Sequence, residues 1–147
     1  MAYTKNLQDV KSAIYSKLNG DVTLRTLLGG AGRVYLAYPQ KPMNFSSYPV
    51  VTYQVIDELD RPYNEDDTTG MLTIVPFVIT ILSSTENSKE SDDIEARIKT
   101  LLNGQSALTT TKITCLSCYR ISQNQTFDTE YKKHIRTVYY ELVSAPK

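Results

Sequence analysis

Apolar residues recur every three or four positions at the front of the chain, at Leu7, Val10, Ile14 and Leu18, which places them on one face of a helix. Asn19-Gly20 suits a left-handed cap that ends it. Asp21 then supplies a side-chain oxygen to cap a short second helix through Val22, Leu24, Leu27 and Leu28, stopped by Gly29-Gly30. After the glycines the pattern changes. Arg33 to Leu36 is a brief extended run, and Pro39 and Pro42 bracket a loop. Tyr48 to Leu59, rich in β-branched and aromatic residues, predicts a strand. The polar segment RPYNEDDTTG, Arg61 to Gly70, reads as the turn out of it.

Met71 to Ser84 is apolar on both alternating faces, so this strand needs a helix over one side and some other cover over the second. Pro76 lies inside it and cannot donate to a ladder. That leaves an edge position, a bulge, or pairing on one side only around that point. Asn87 with Glu90 has the form of a capping box. It opens a third helix with Ile94, Ile98, Leu101 and Leu102 on its apolar face and Asn103-Gly104 at its end. Two further strands, about Thr111 to Ser122 and about His134 to Val143, complete the order. The expected fold is α+β: a mostly antiparallel sheet of about four to five strands with helices packed on one face, as one domain over residues 1–147.

Net charge is zero, which removes the broad cationic field that nonspecific nucleic-acid binding uses. The charges are nevertheless segregated. Asp57 to Asp67 holds six acids against Arg61, and Glu86 to Glu95 holds five against Lys89, while the first fifty-six residues lean basic. These acids read as two solvated segments, with a second reading open in which opposite patches meet between copies of the chain. The opening MAYTKNLQDVKSAIY has no apolar signal core and no run approaches a membrane span, so a cytosolic product is expected.

Candidate chemistry is sparse. Cys115 and Cys118 have the CxxC spacing but no second ligand pair and no helix N-terminus. On a regular strand, residues three apart point to opposite faces. Gly29 to Gly32 follows a helix and precedes a strand, the reverse of a phosphate loop. His134, the one histidine, has no serine elbow or other nucleophile context, and reads as a polar position on an alternating strand. Alternation groups it with Arg136, Val138, Tyr140 and Leu142. No catalytic residue, cofactor or metal site is expected.

The order of elements and a set of short motifs resemble the tail completion proteins of tailed bacteriophages, also called tail terminators or tail-to-head joining proteins. The motifs are Ala13-Ile14-Tyr15, Leu18, Asp21, Leu24, Leu27-Leu28, Arg33-Val34-Tyr35 and Tyr48-Pro49, then Arg120, Asp128 and His134 around the last hairpin. The resemblance runs from about residue 7 to 143. It implies a virion protein, made in the host cytoplasm, that forms a ring, usually a hexamer. Such a ring caps the tail tube, ends tail polymerisation and offers a surface to the head connector or stopper. Its implied partners are further copies of itself, the major tail tube protein, the connector and the tape measure protein. No membrane and no sequence-specific nucleic acid are involved, although DNA passes through the lumen. A head-side connector component of the same virion is the alternative, and a small ligand-binding or hydrolase domain a more distant one.

Expected interface residues come from four sources. Arg120, Asp128 and His134 come from the resemblance, and Arg136 from its place on the face of the last strand. The acidic loop from Arg61 to Asp67 nominates Arg61, Asn64, Glu65, Asp66 and Asp67, and Pro76 marks a strand whose edge another subunit could cover.

Overall fold

The computed structural model describes residues 2–30, 33–36, 49–56, 59–64, 67–83, 88–104, 108–109, 113–128 and 133–146. The proposed caps at Asn87 and the acids Glu65 and Asp66 lie outside them.

Helix α1, Ala2–Asn19, buries Val10, Ile14 and Leu18 completely, as their spacing requires. The glycine after it serves a different purpose from the one expected. Gly20 is not in the left-handed region; a Cβ there would sit 2.6 Å from the Ser16 carbonyl oxygen, so close approach excludes a side chain. Asp21 caps α2, Val22–Leu27, with its carboxylate accepting from the Leu24 amide at 2.8 Å. Gly29, at φ 83°, then turns the chain in a conformation that favours glycine.

Six strands form one sheet: β1 (Val34–Leu36), β2 (Val50–Val55), β3 (Leu59–Asn64), β4 (Asp67–Leu82), β5 (Ile113–Asp128) and β6 (Lys133–Pro146). Helix α3, Ser88–Leu102, stands between β4 and β5 in sequence. The order across the sheet is β1-β2-β4-β6-β5, with β3 also on β4; β1 runs parallel to β2 and every other pair is antiparallel. The sheet holds six strands where about four to five were expected, because β2 and β3 share one flank of β4 at different heights.

That sharing explains two sequence features. Tyr48 to Leu59 is not one strand: β2 stops at Val55 and β3 begins at Leu59. The acidic segment is not a simple turn either, since Arg61, Pro62 and Asn64 pair with Leu72, Met71 and Asp67 in a two-stranded ribbon. Pro76 marks the exchange. Ile56 donates its amide to the Pro76 carbonyl at 2.9 Å, and the reciprocal bond is the one a proline cannot make. On the other flank Pro76 stays in register with Glu141 of β6. Of the three solutions the sequence left open, pairing on one side is the one adopted.

The helices cover one face of the sheet. Val75, Phe77, Ile79 and Ile81 of β4 and Val138, Tyr140 and Leu142 of β6 are buried against Ile94, Ile98 and Leu102 of α3 and the apolar faces of α1 and α2. Phe77 and Tyr140 are register partners, and their rings stack with centroids 5.4 Å apart. Each fully buried side chain of this size contributes roughly 1.5–3 kcal/mol.

Strand β5 keeps pace with β6 only through two bulges, between Cys115 and Ser117 and between Arg120 and Ser122. The first brings Cys115 and Cys118 to the same side, both buried, opposite Ser144 and Leu142. The expectation that the two thiols diverge therefore fails; the inserted Leu116 resets the alternation.

Candidate assembly surface

Three surfaces are built on this frame. The first is internal. Glu95 of α3, only 7% exposed, receives Arg136 Nη1 of β6 at 2.7 Å on Oε2 and the Arg120 guanidinium of β5 on Oε1. With its amide nitrogen turned inward, Gln123 donates to both oxygens, at 2.9 and 3.1 Å. Arg136 also donates to Asp92 and, through Nε at 3.0 Å, to Gln125 Oε1. That bond orients the Gln125 amide so that its Nε2 lies 2.9 Å from His134 Nδ1. His134 further packs its ring 5.0 Å from that of Phe127. The structure thus brings together Arg120, His134 and Arg136, but around a helix of their own chain. Such a network fixes α3 on β5 and β6, because each charge is compensated only in that one arrangement.

Asp128 ends β5 opposite Lys133, one register step beyond the Phe127–His134 pair at the turn end of the same hairpin. Arg61 and Asn64 lie in β3 and Asp67 opens β4, so these belong to the ribbon.

The second surface is the sheet face turned away from the helices. Ile74, Pro76, Val78, Thr80 and Leu82 of β4 line up there with Ile135, Thr137, Tyr139, Glu141 and Val143 of β6, all outside the buried set. On β5 the same side carries Tyr119, and the bulge residues Leu116 and Ile121 stand out to solvent, Ile121 at 62% exposure. Four large apolar or aromatic side chains, Leu116, Tyr119, Ile121 and Tyr139, are exposed on two neighbouring strands. Such grouping is characteristic of an interaction surface rather than of scattered surface residues. Beside them the outer edge of β5 is occupied only in part. Gly104 pairs with Cys118 through bonds of 2.8 and 2.9 Å, and Asn103 Oδ1 accepts from the Arg120 amide at 3.0 Å. From Ser122 to Asp128 the edge meets no other strand among the described residues.

The third surface is a cleft of about 290 Å³ between α1 and β1–β2, lined by Lys11, Ser12, Tyr15, Ser16, Leu36 and Tyr53. The Tyr15 and Tyr53 rings lie 6.4 Å apart.

Burial pushes the Cys118 thiol up to about 12, with a smaller contribution from Cys115, and raises Cys115 as well, so both thiols are protonated and inert at neutral pH. Burial, with the charge of Glu95 adding to it, also raises Tyr140. Among the described residues no cluster of His, Cys, Asp or Glu is placed to hold a metal ion, and no helix is long and apolar enough to cross a membrane.

Sequence reasoning passed over Glu95, Gln123 and Gln125. Glu95 was hidden among the acids at the start of α3, where a solvated face is the common outcome. A usable signal was present in β6: alternation puts Arg136 on the side of Val138 and Tyr140, so a buried arginine needed an acid from the covering helix.

No protein-family model matches the chain, and no curated protein matches it. Among solved structures, a chain from the virion of a native gene transfer agent particle is similar over 91% of this chain and 92% of its own, with a TM-score of 0.68 and 17% identity. A second solved chain is similar over 96% of this chain and 95% of its own, with a TM-score of 0.52 and 12% identity. These likenesses are of fold, and the α+β architecture with its mostly antiparallel sheet is one that a virion chain also adopts.

Proposed function

We propose that this chain is a structural protein of a phage-like virion that forms a ring, of six copies by the resemblance above, closing the end of the tail tube. The ring stops tube growth and offers its other side to the head connector. The observation that carries this reading is the uncovered sheet face, where Tyr119 and Tyr139 are exposed with the exposed bulge residues Leu116 and Ile121 on the neighbouring strand, on a fold shared with a chain of a gene transfer agent virion. A face of that composition stabilises contacts by removing apolar area from water. The network around Glu95 keeps the face rigid from behind, so little ordering cost remains to be met on association.

Ring contacts of this kind are heterologous, and a ring closes only when each contact supplies the same rotation. As one domain, the chain would then act through its surfaces alone, with no reaction step.

Purified protein mixed with isolated tail tubes and viewed by negative-stain electron microscopy tests the reading. Ring-shaped density at one tube end, and loss of tube elongation when the protein is present during polymerisation, are the expected results. Binding to connector or portal rings with no binding to tube ends would instead assign the chain to the head side of the neck.

A further inference from the structure

His134, Gln125 and Arg136 form a chain of hydrogen bonds whose direction is set from one end. A guanidinium has donors and no acceptor, so Arg136 Nε–H, at 3.0 Å, can meet only the oxygen of the Gln125 amide. Arg136 Nη2 donates to the same oxygen. The Gln125 nitrogen is thereby turned toward the imidazole, 2.9 Å from Nδ1. An amide nitrogen only donates, so Nδ1 must accept and the ring proton must sit on Nε2. The neutral ring is the form that fits.

A second proton would have to go to Nδ1, where it sets one N–H against another. Turning the Gln125 amide over relieves the conflict, because its oxygen then accepts from Nδ1–H. The same rotation presents the amide nitrogen to Arg136, where donor faces donor and the bond is lost. The amide is the part free to turn. Gln125 lies on an exposed stretch of β5, whereas the imidazole is packed 5.0 Å from the Phe127 ring.

We infer that these three residues are a proton-driven latch, in which protonation of His134 releases Arg136 from β5 and leaves it on α3. From α3, Glu95 and Asp92 both accept from Arg136, so the guanidinium stays paired when Gln125 turns. Glu90 accepts from the Ser83 hydroxyl at 3.1 Å, and the Ser83 amide donates to the His134 carbonyl at 3.0 Å, which ties the backbone there. Lys89 is paired with Asp93 at 2.7 Å. On the hairpin, Asp128 and Lys133 form the next register pair, and β4 brings the apolar Leu82 opposite Ile135. Histidine is the side chain that ordinarily changes charge between about pH 5 and 8; free carboxylates and ammonium groups do so outside that range. The latch is independent of the ring reading above.

Nuclear magnetic resonance tests it directly, because the chain has one histidine and its ring signals are unambiguous. At about pH 8 the ring nitrogen shifts should be those of the Nε2–H tautomer. An Nδ1–H tautomer overturns the inference. On lowering the pH to about 5, the Gln125 side-chain amide and the Arg136 Nε–H signals should shift with the same midpoint as the imidazole carbons. Signals that stay fixed while the ring titrates also overturn it. In Gln125→Glu both neighbours meet carboxylate oxygens, so the Arg136 signal should cease to follow the ring. If it still follows, the shift belongs to Asp92 or Glu95 and the latch is wrong. The first two readouts use unmodified protein, so they hold even where the variant fails to fold.

Discussion

Glu95 and Arg136, forty-one residues apart in sequence, meet at 2.7 Å with both side chains more than nine-tenths buried. A buried pair of this kind stabilises little compared with an apolar replacement, yet breaking it leaves an uncompensated charge. The Glu95→Ala variant should therefore lose about 3 kcal/mol of stability. Urea denaturation would read this as a lower midpoint at unchanged slope. Replacing the charges together, Glu95→Leu with Arg136→Met, should recover much of the loss.

Tyr140 lies opposite Phe77 with its hydroxyl buried and without a hydrogen-bond partner among the described residues. Removing that oxygen removes a desolvated polar group and keeps the stacked ring. Tyr140→Phe should be neutral or stabilising by up to about 1 kcal/mol. A loss of more than that in a thermal melt would show that the hydroxyl is satisfied in solution.

Asp21 both caps α2 and receives Arg97 through two bonds, at 2.8 and 2.7 Å. The Arg97 guanidinium, chiefly by hydrogen bonding, holds its carboxyl down at about 2, below the ordinary 3.8. A carboxylate lowered in the folded state contributes stability that is complete above its unfolded value and disappears as pH falls toward the folded one. Stability should thus decline between about pH 4 and pH 2, by roughly 1–2 kcal/mol from this residue after solvent screening. Asp21→Asn should flatten that part of the stability curve, as measured by thermal melts across the range.

Cys118, pushed up to about 12, has negligible thiolate at pH 8, and Cys115 is raised in the same direction. Iodoacetamide should leave both unlabelled in the folded protein and label both in urea, as mass spectrometry would count. Fast labelling of native protein would contradict the packing of β5 described above.

At the second β5 bulge, beside the uncovered face, Ile121→Glu should change stability by less than about 0.5 kcal/mol, because the side chain already stands in solvent. The same change should abolish capping of tail tubes. Unaltered capping would remove this face from the assembly surface.

Much of this architecture was legible from local pattern. The apolar spacing in α1 and α3, the Asp21 cap and the alternation of β6 are set by residues within a few positions of one another. What escaped depended on distant partners. The break between Val55 and Leu59 follows from Pro76, some twenty positions away. The ribbon was hidden because Asn, Asp and Gly in RPYNEDDTTG are also the residues of an ordinary turn. The bulges in β5 carry no local signature, so Cys115 and Cys118 were placed on opposite faces. Of the nominated site residues, Arg120, His134 and Arg136 proved to be neighbours, but the acid that gathers them was visible only as one of five in a charged run.

Pro76 also acts as a stop on sliding. A strand pair held by alternate hydrogen bonds can shift along its neighbour two residues at a time and keep its faces, which makes such shifts the natural error of a long apolar strand like β4. With no amide at position 76, β2 gains nothing by advancing and β3 gains nothing by retreating. One ring of five atoms thereby sets where two strands end, and with them the height at which the acidic ribbon leaves the body of the protein.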